Sequence, residues 1–470
     1  MSNDGRRKRS RPSAQLEREM TIYFDDSLPA LVDAITSTCG EGALESGLAL
    51  RDTTGRLSFY LATALDDEHR ASIGAALGAA LGYYARTDRV IAGIEDFGVV
   101  DLLHSPDIIP VTVAGRRVRL IDRRLVGADW LREPTKLKTS GVPRFVFSSL
   151  KGGVGRSTAL AVVATHAASR GKRVLAVDLD MEAPGLGAIL LDDSTTPQFG
   201  IIDALVERAL SPLTSELIRD LVGASTLSGR GRVDVVPAFG ARSLANPADV
   251  LAKIGRAYGE VVREDGKIET MLDQVAAIID LVEENSRYDM ILIDARAGLH
   301  EIAAAALLGL GAEILCFGAD EPQTFQGYRA LFSHVDRYSR SEQVESEWFS
   351  RVNLVQAKAP LDAELRAEFR RKCDVMLKGG ALDKSRSTVP LPDGFNDVLW
   401  DESVSDADLG LTEGASMTEI LSVAYDPLFA NFDPLRKRDQ ISQLAYQNAF
   451  GGLIAYIDEA LATTEGARRS

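Results

Sequence analysis

From Arg144 onward the chain alternates short apolar runs with helix-length segments, and this alternation constrains the fold more than any other feature. The runs are RFVFSSL, KRVLAVDLD, RVDVVPA, YDMILIDA, AEILCFGA, SRVNLVQA and STVPLP. Each has the length of a strand and little polar alternation, as expected of strands buried on both faces. Helical segments lie between most of them, among them STALAVVATHAASR, TMLDQVAAIIDLVEEN and TFQGYRALFSHVDRYSR. Such alternation implies an α/β fold, a mostly parallel doubly wound sheet flanked by helices. The C-terminal DPLRKRDQISQLAYQNAFGGLIAYIDEALA reads as one or two amphipathic helices packed on that domain.

The first run leads directly into SLKGGVGRST, residues 149–158. A phosphate-binding loop needs glycines that let backbone N–H groups turn inward, and a helix that starts at once so that its positive end faces the anion. It also needs a cation and a hydroxyl that reach the phosphates and Mg²⁺. Gly152, Gly153 and Gly155, with Val154 between them, supply the turn, and Ser157 and Thr158 open the helix. Ser157 stands where the metal-ligating hydroxyl belongs. Against the plain pattern G-x-x-x-x-G-K-[ST] the loop departs twice, with Leu150 at the first glycine and Arg156 at the lysine. The pattern K-G-G-V-G-x-[ST]-T is met from Lys151. Arg156 keeps a positive charge beside the β- and γ-phosphates, but its planar fork is not a point charge.

This loop resembles the deviant Walker A motif of the ParA/MinD superfamily of P-loop ATPases, the SIMIBI class, in a multidomain bacterial branch. The resemblance spans roughly residues 144–400 and implies ATP and Mg²⁺ as cofactors. It also implies a nucleotide-sandwich homodimer, in which Lys151 reaches across to the partner's phosphates. Two further stretches extend it. In VDLDMEAPGLG, Asp180 matches the acid that orients or deprotonates the attacking water, and Asp178 lies near Mg²⁺ and its water shell. RYDMILIDARAGLHE matches the Walker B strand: Asp294 would hold an Mg²⁺-bound water, and Gly298 would offer its N–H to the γ-phosphate as a switch hinge. Arg296 has no counterpart in the commonest family pattern and is either a γ-phosphate sensor or a surface arginine. For the adenine, the resemblance points to Asn353 in RVNLVQAKA, with Gln356 as rival and the loop near Pro392 and Asp393 as another wall. No NKxD-type sequence argues for GTP.

The remainder is less specific. A chain of 470 residues is long for one domain, and its 45% hydrophobic and 26% charged residues fit a globular protein. Residues 1–18 carry Arg6, Arg7, Lys8, Arg9 and Arg11 and read as a solvated basic tail, with a weak nucleic-acid contact as the alternative. Residues 19–140 read as an α+β accessory domain with two hairpins, GLALRDTTGRLSFYLA and IIPVTVAGRRVRLIDRRL, around one helix. KLKTSGVPR, 136–144, reads as a linker into an ATPase domain of 141–470. The net charge of −15 argues against a protein that coats DNA uniformly, leaving non-specific DNA as a candidate ligand only through a local patch. Cys39, Cys316 and Cys373 show no disulfide or metal spacing, which fits a cytoplasmic protein. No apolar run reaches the roughly 18–20 residues of a membrane span, and the basic start lacks the apolar stretch of a secretory signal.

The function expected from all this is an ATP-binding, slowly hydrolysing molecular switch that acts through an unidentified protein partner. The alternatives are a nucleotide-holding scaffold or sensor with little hydrolysis, and a bacterial tyrosine-kinase-like enzyme, which shares this loop. Against the kinase, Tyr425, Tyr446 and Tyr456 are scattered rather than clustered. An iron–sulfur reductase relative would need a cysteine pair that the chain does not show.

Overall fold

A computed structural model describes residues 22–138, 141–263, 266–338, 342–381 and 420–469. The chain divides into two compact units, one running to Leu125 and one from Val126.

The first unit is a five-stranded sheet in the order β3-β2-β1-β5-β4. The strands are β1 (Leu48–Arg51), β2 (Leu57–Tyr60), β3 (Ile91–Ala92), β4 (Ile109–Val113) and β5 (Arg116–Asp122). Both expected hairpins form. β1 pairs antiparallel with β2 around the DTTG turn, and β4 pairs antiparallel with β5 around Ala114–Gly115. The predicted helix runs Asp67–Leu81; Asp66 caps it by accepting from the His69 N–H, and Leu77 and Leu81 on its inner face are fully buried.

The second unit is built on eight strands in the order β15-β14-β13-β6-β12-β7-β9-β8. They are β6 (Arg144–Ser149), β7 (Arg173–Asp178), β8 (Gly223–Ala224), β9 (Arg232–Val236), β12 (Met290–Asp294), β13 (Glu313–Gly318), β14 (Val352–Ala359) and β15 (Leu421–Ala424). A separate ribbon pairs β10 (Val261–Val262) with β11 (Ile268–Glu269). Every neighbouring pair in the large sheet is parallel except β8 with β9. The fold is therefore the mostly parallel, doubly wound sheet of P-loop nucleoside triphosphatases. Six of the seven strands expected from the apolar runs are present; the seventh, STVPLP, lies outside the described residues.

Helices cover both faces, which is why β6 and β12 are buried along their whole length. One face packs under the helices Ile201–Leu210, Met271–Glu284, Glu301–Gly309 and Pro322–Tyr338. The other packs under Arg156–Ser169 and the long C-terminal helix Gln443–Arg469. The Ala-rich Arg156–Ser169 helix is buried on nearly every side, so its small residues let sheet and C-terminal helix close on it together. His166 links the two helices, its Nδ1 lying 2.9 Å from the Tyr446 hydroxyl.

Residues 126–138 belong to this second unit, so the units meet at 125/126 and not near 140/141. Asp129 accepts from the Leu272 N–H at 2.7 Å, Thr135 N–H donates to Leu308, and Lys138 N–H donates to Gly311. The stretch read as a linker is stitched down by backbone bonds at its start.

Candidate active site

The site forms where β6, β12 and β7 end side by side. In that register Asp294, last in β12, lies opposite Asp178, last in β7, and opposite Phe147 of β6. Carboxyl ends of parallel strands are where open α/β sheets bind ligands. Immediately after β6 the chain turns through Gly153 and Gly155, at φ +75° and +91°, a region costly for any residue with a Cβ. Gly155 then becomes the N-cap of the Arg156–Ser169 helix. The free N–H groups of that helix start, and its positive dipole end, face the mouth of the site.

Leu150, the residue at the pattern's first glycine, has a local reason. A Cβ on Gly327, in the facing Pro322–Tyr338 helix, would stand 2.5 Å from Leu150 Cδ1. The Leu150 side chain packs into the space that Gly327 leaves open on the facing helix.

Arg156 turns inward and is only 8% exposed. Its guanidinium donates from Nε to Asp294 Oδ1, from one terminal nitrogen to Ser149 Oγ at 3.3 Å, and from the other to Asp180 Oδ2 at 3.4 Å. Asp294 and Asp180 are both buried. Burial pushes the Asp294 carboxyl up, while the Arg156 charge and a hydrogen bond from the Ser157 hydroxyl pull against it. Ser157 and Asp294 are therefore neighbours, as the loop pattern requires.

Asp180 also accepts from the Ala183 N–H at 3.1 Å, which ties down the loop after β7. Asp178 is used differently from the metal-side role expected of it. Its two oxygens accept from the N–H groups of Asp180, Gly185 and Leu186, so it shapes the DLDMEAPGLG loop. Burial and the neighbouring Asp294 push its carboxyl up. Among the described residues no group of three or more His, Cys, Asp or Glu is arranged to hold a metal. The hard oxygen set of Ser157 and Asp294 fits Mg²⁺ all the same, because that ion takes one or two protein ligands and fills its shell with water and phosphate oxygens.

Lys151 lies about half exposed at the rim, and its Nζ pairs with Glu321 Oε2 at 2.6 Å. Gly298, at φ +89°, donates its N–H to the Ser149 carbonyl at 2.9 Å, joining the loop after β12 to the end of β6. Arg296 pairs with Glu182 at 3.0 Å, and Glu182 also accepts from the Tyr258 hydroxyl at 2.6 Å. The two loops that follow β7 and β12 are joined through this acid, a link that no local pattern signals.

Asn353 does not join the site. It is the second residue of β14, at the end of the sheet away from the loop. Its amide donates to the Tyr456 hydroxyl at 2.6 Å and the Arg351 carbonyl at 3.3 Å, which makes it a packing group under the C-terminal helix. Gln356 lies further along β14, buried and paired in register with Gly318. Pro392 and Asp393 fall outside the described residues.

Sheet order, glycine loop, helix start and facing acids together make this unit a P-loop fold. Residues 144–346 match the family model described as an AAA domain. Solved structures similar to the chain include apo McdA from Cyanthece, at 14% identity over 68% of this chain and 99% of that one, with a TM-score of 0.41. MinD from Pyrococcus horikoshii OT3, solved with Mg-ADP, is 17% identical over 69% of this chain and 98% of its own, with a TM-score of 0.40. A ParA family ATPase from Chlorobium tepidum TLS is 20% identical over 52% of this chain and 94% of its own, with a TM-score of 0.34. No curated protein matches the chain.

Proposed function

We propose that the second unit binds ATP with Mg²⁺ in the 151–158 loop and hydrolyses it slowly, as a switch that closes into a homodimer. The observation that carries this reading is the loop itself: a positive-φ glycine turn between a buried strand and a helix start, facing Asp294, Asp180 and the Ser157 hydroxyl. The backbone N–H groups of Gly152 to Gly155 cradle the phosphates. Arg156 and the helix start supply positive charge, and Thr158 continues the helix behind them. Ser157 and Asp294 would hold Mg²⁺ and its water, and the ion would supply positive charge against the phosphates. Asp180, freed from its ion pair, orients the attacking water and takes its proton. Lys151 leaves Glu321 and crosses to the phosphates held by a second copy. Catalysis here is mostly placement of charge, so a partner that completes the placement would set the turnover.

The nucleotide-holding alternative has one observation in its favour: both cations of the loop, Arg156 and Lys151, are paired with carboxylates of their own chain. Asp180→Ala separates the readings. In a hydrolytic switch, the variant binds a fluorescent ATP analogue as the parent does but releases no phosphate. An unchanged phosphate-release rate would remove Asp180 from the chemistry, and absent binding in the parent chain would overturn the nucleotide site altogether. Among the described residues no helix is long and apolar enough to cross a membrane. The partner is expected to be a soluble or surface-bound protein, with DNA as a further candidate through a local basic patch.

A further inference from the structure

The position usually held by a phosphate-binding lysine is here an arginine that serves three groups at once. Its Nε meets Asp294, and its terminal nitrogens meet Ser149 at 3.3 Å and Asp180 at 3.4 Å. A lysine ammonium is a compact point charge on a shorter reach. A guanidinium is a rigid fork with five donors, able to bridge two carboxylates in one plane. The acids it bridges are those a divalent ion or its water shell would approach, and a third buried acid, Asp178, adjoins Asp294 across the β7–β12 register. Three buried carboxylates against one cation leave no reason for Arg156 to depart while the site is without nucleotide, since an unpaired buried charge is costly.

We propose that Arg156 is the resident cation of this site: its guanidinium holds the seat between Asp294 and Asp180, so that arginine and a divalent metal occupy Asp294 alternately. The inference rests on the reading of the loop as a nucleotide site, and adds to it a condition on metal entry. Divalent metal alone does not displace the fork, because expelling Arg156 without a phosphate to receive it strands a charge. Nucleotide supplies that receiver, so metal and nucleotide enter together. The arginine therefore makes the site blind to free metal and responsive to the metal–nucleotide pair.

The test uses the full chain and Mn²⁺ alone, without nucleotide, so that it is independent of whether ATP binds. Free Mn²⁺ is followed by its paramagnetic resonance signal, and Mn²⁺-dependent melting is followed in parallel. The parent chain is expected to show no saturable Mn²⁺ binding and no change in melting. Arg156→Gln, which keeps a polar side chain but removes the charge, is expected to gain saturable Mn²⁺ binding and to melt higher with it. Asp294→Asn added to that variant should abolish the gain. If Arg156→Gln does not fold, Arg156→Lys serves in its place, because its point charge can pair with only one acid and should give a smaller gain in the same direction. Equal Mn²⁺ responses in parent and variant would overturn the proposal, as would a gain that survives Asp294→Asn. A parent chain that binds no ATP analogue, yet gains Mn²⁺ binding on Arg156→Gln, would refute the nucleotide reading while leaving the cation seat standing.

Discussion

Gly327→Ala tests the contact that lets the loop carry Leu150. Replacing glycine by alanine inside a helix ordinarily gains about 1 kcal/mol. Here the new Cβ would stand 2.5 Å from Leu150 Cδ1 and 3.3 Å from Cγ, against an ordinary contact of about 3.5–4.0 Å. The leucine tip must shift, and overpacking of this kind costs about 1–3 kcal/mol. The net effect is therefore a loss of roughly 0–2 kcal/mol in place of the usual gain. In a Leu150→Ala background the clash disappears and the same substitution should stabilise by about 1 kcal/mol. Urea denaturation read by tryptophan fluorescence suits the measurement, because Trp130 and Trp348 both lie in the second unit. The predicted signature is a sign reversal between the two backgrounds. Gly327→Ala raising the midpoint equally in both would refute the close approach, and with it the explanation of Leu150.

Three other outcomes are expected. Burial pushes the Asp129 carboxyl up to about 6, with hydrogen bonds to Thr270 and Leu272 opposing and the Glu301 charge adding to the rise. A carboxyl raised in the folded state binds protons more tightly there, so its contribution to stability is full below about pH 4 and falls as pH rises through about 6. Asp129→Asn should flatten that part of the stability–pH curve, read by denaturation midpoints; an unchanged slope would show that Asp129 does not titrate there. Glu321→Gln frees Lys151 from its 2.6 Å partner at a stability cost under about 1 kcal/mol, because the pair is half exposed. Dimerisation with an ATP analogue should then need less nucleotide, and a higher requirement would contradict a holding role for Glu321. Arg144→Ala removes a fully buried guanidinium that reaches Asp280 and Glu283 at 2.5 Å; Asp280 keeps Lys138 at 2.7 Å and both acids keep solvent contact, so stability should fall by about 1–3 kcal/mol in calorimetry; no measurable loss would mean that solvent and Lys138 replace the arginine fully.

Much of the fold is legible in the sequence because the strands of a covered parallel sheet are nearly continuous apolar runs. RFVFSS and MILID read as strands, and the glycine loop between strand and helix marks where phosphates would be held. What escapes is long-range. The strand LSVA is four residues long with only alternate burial, and nothing local marks it as the sheet's edge. The KLKTSGVPR stretch has a linker's composition, yet its Lys138 N–H is bonded to the Gly311 carbonyl some 170 residues on, which composition does not record. Asn353 is the right residue type on the right strand but at the wrong end, and only the structure shows Tyr456 reaching it from the C-terminal helix. The inward turn of Arg156 was equally invisible: the pattern placed its charge near phosphates, and the partners that hold it come from three separate strand ends.

The most direct test of the switch is the mass of the chain in solution by light scattering, with Mg²⁺ and a non-hydrolysable ATP analogue and then with ADP, for the parent and for Lys151→Ala. The account predicts that the parent doubles its mass only with the ATP analogue and that Lys151→Ala stays monomeric while still binding it. A mass indifferent to nucleotide, or a Lys151→Ala variant that doubles like the parent, would contradict the sandwich.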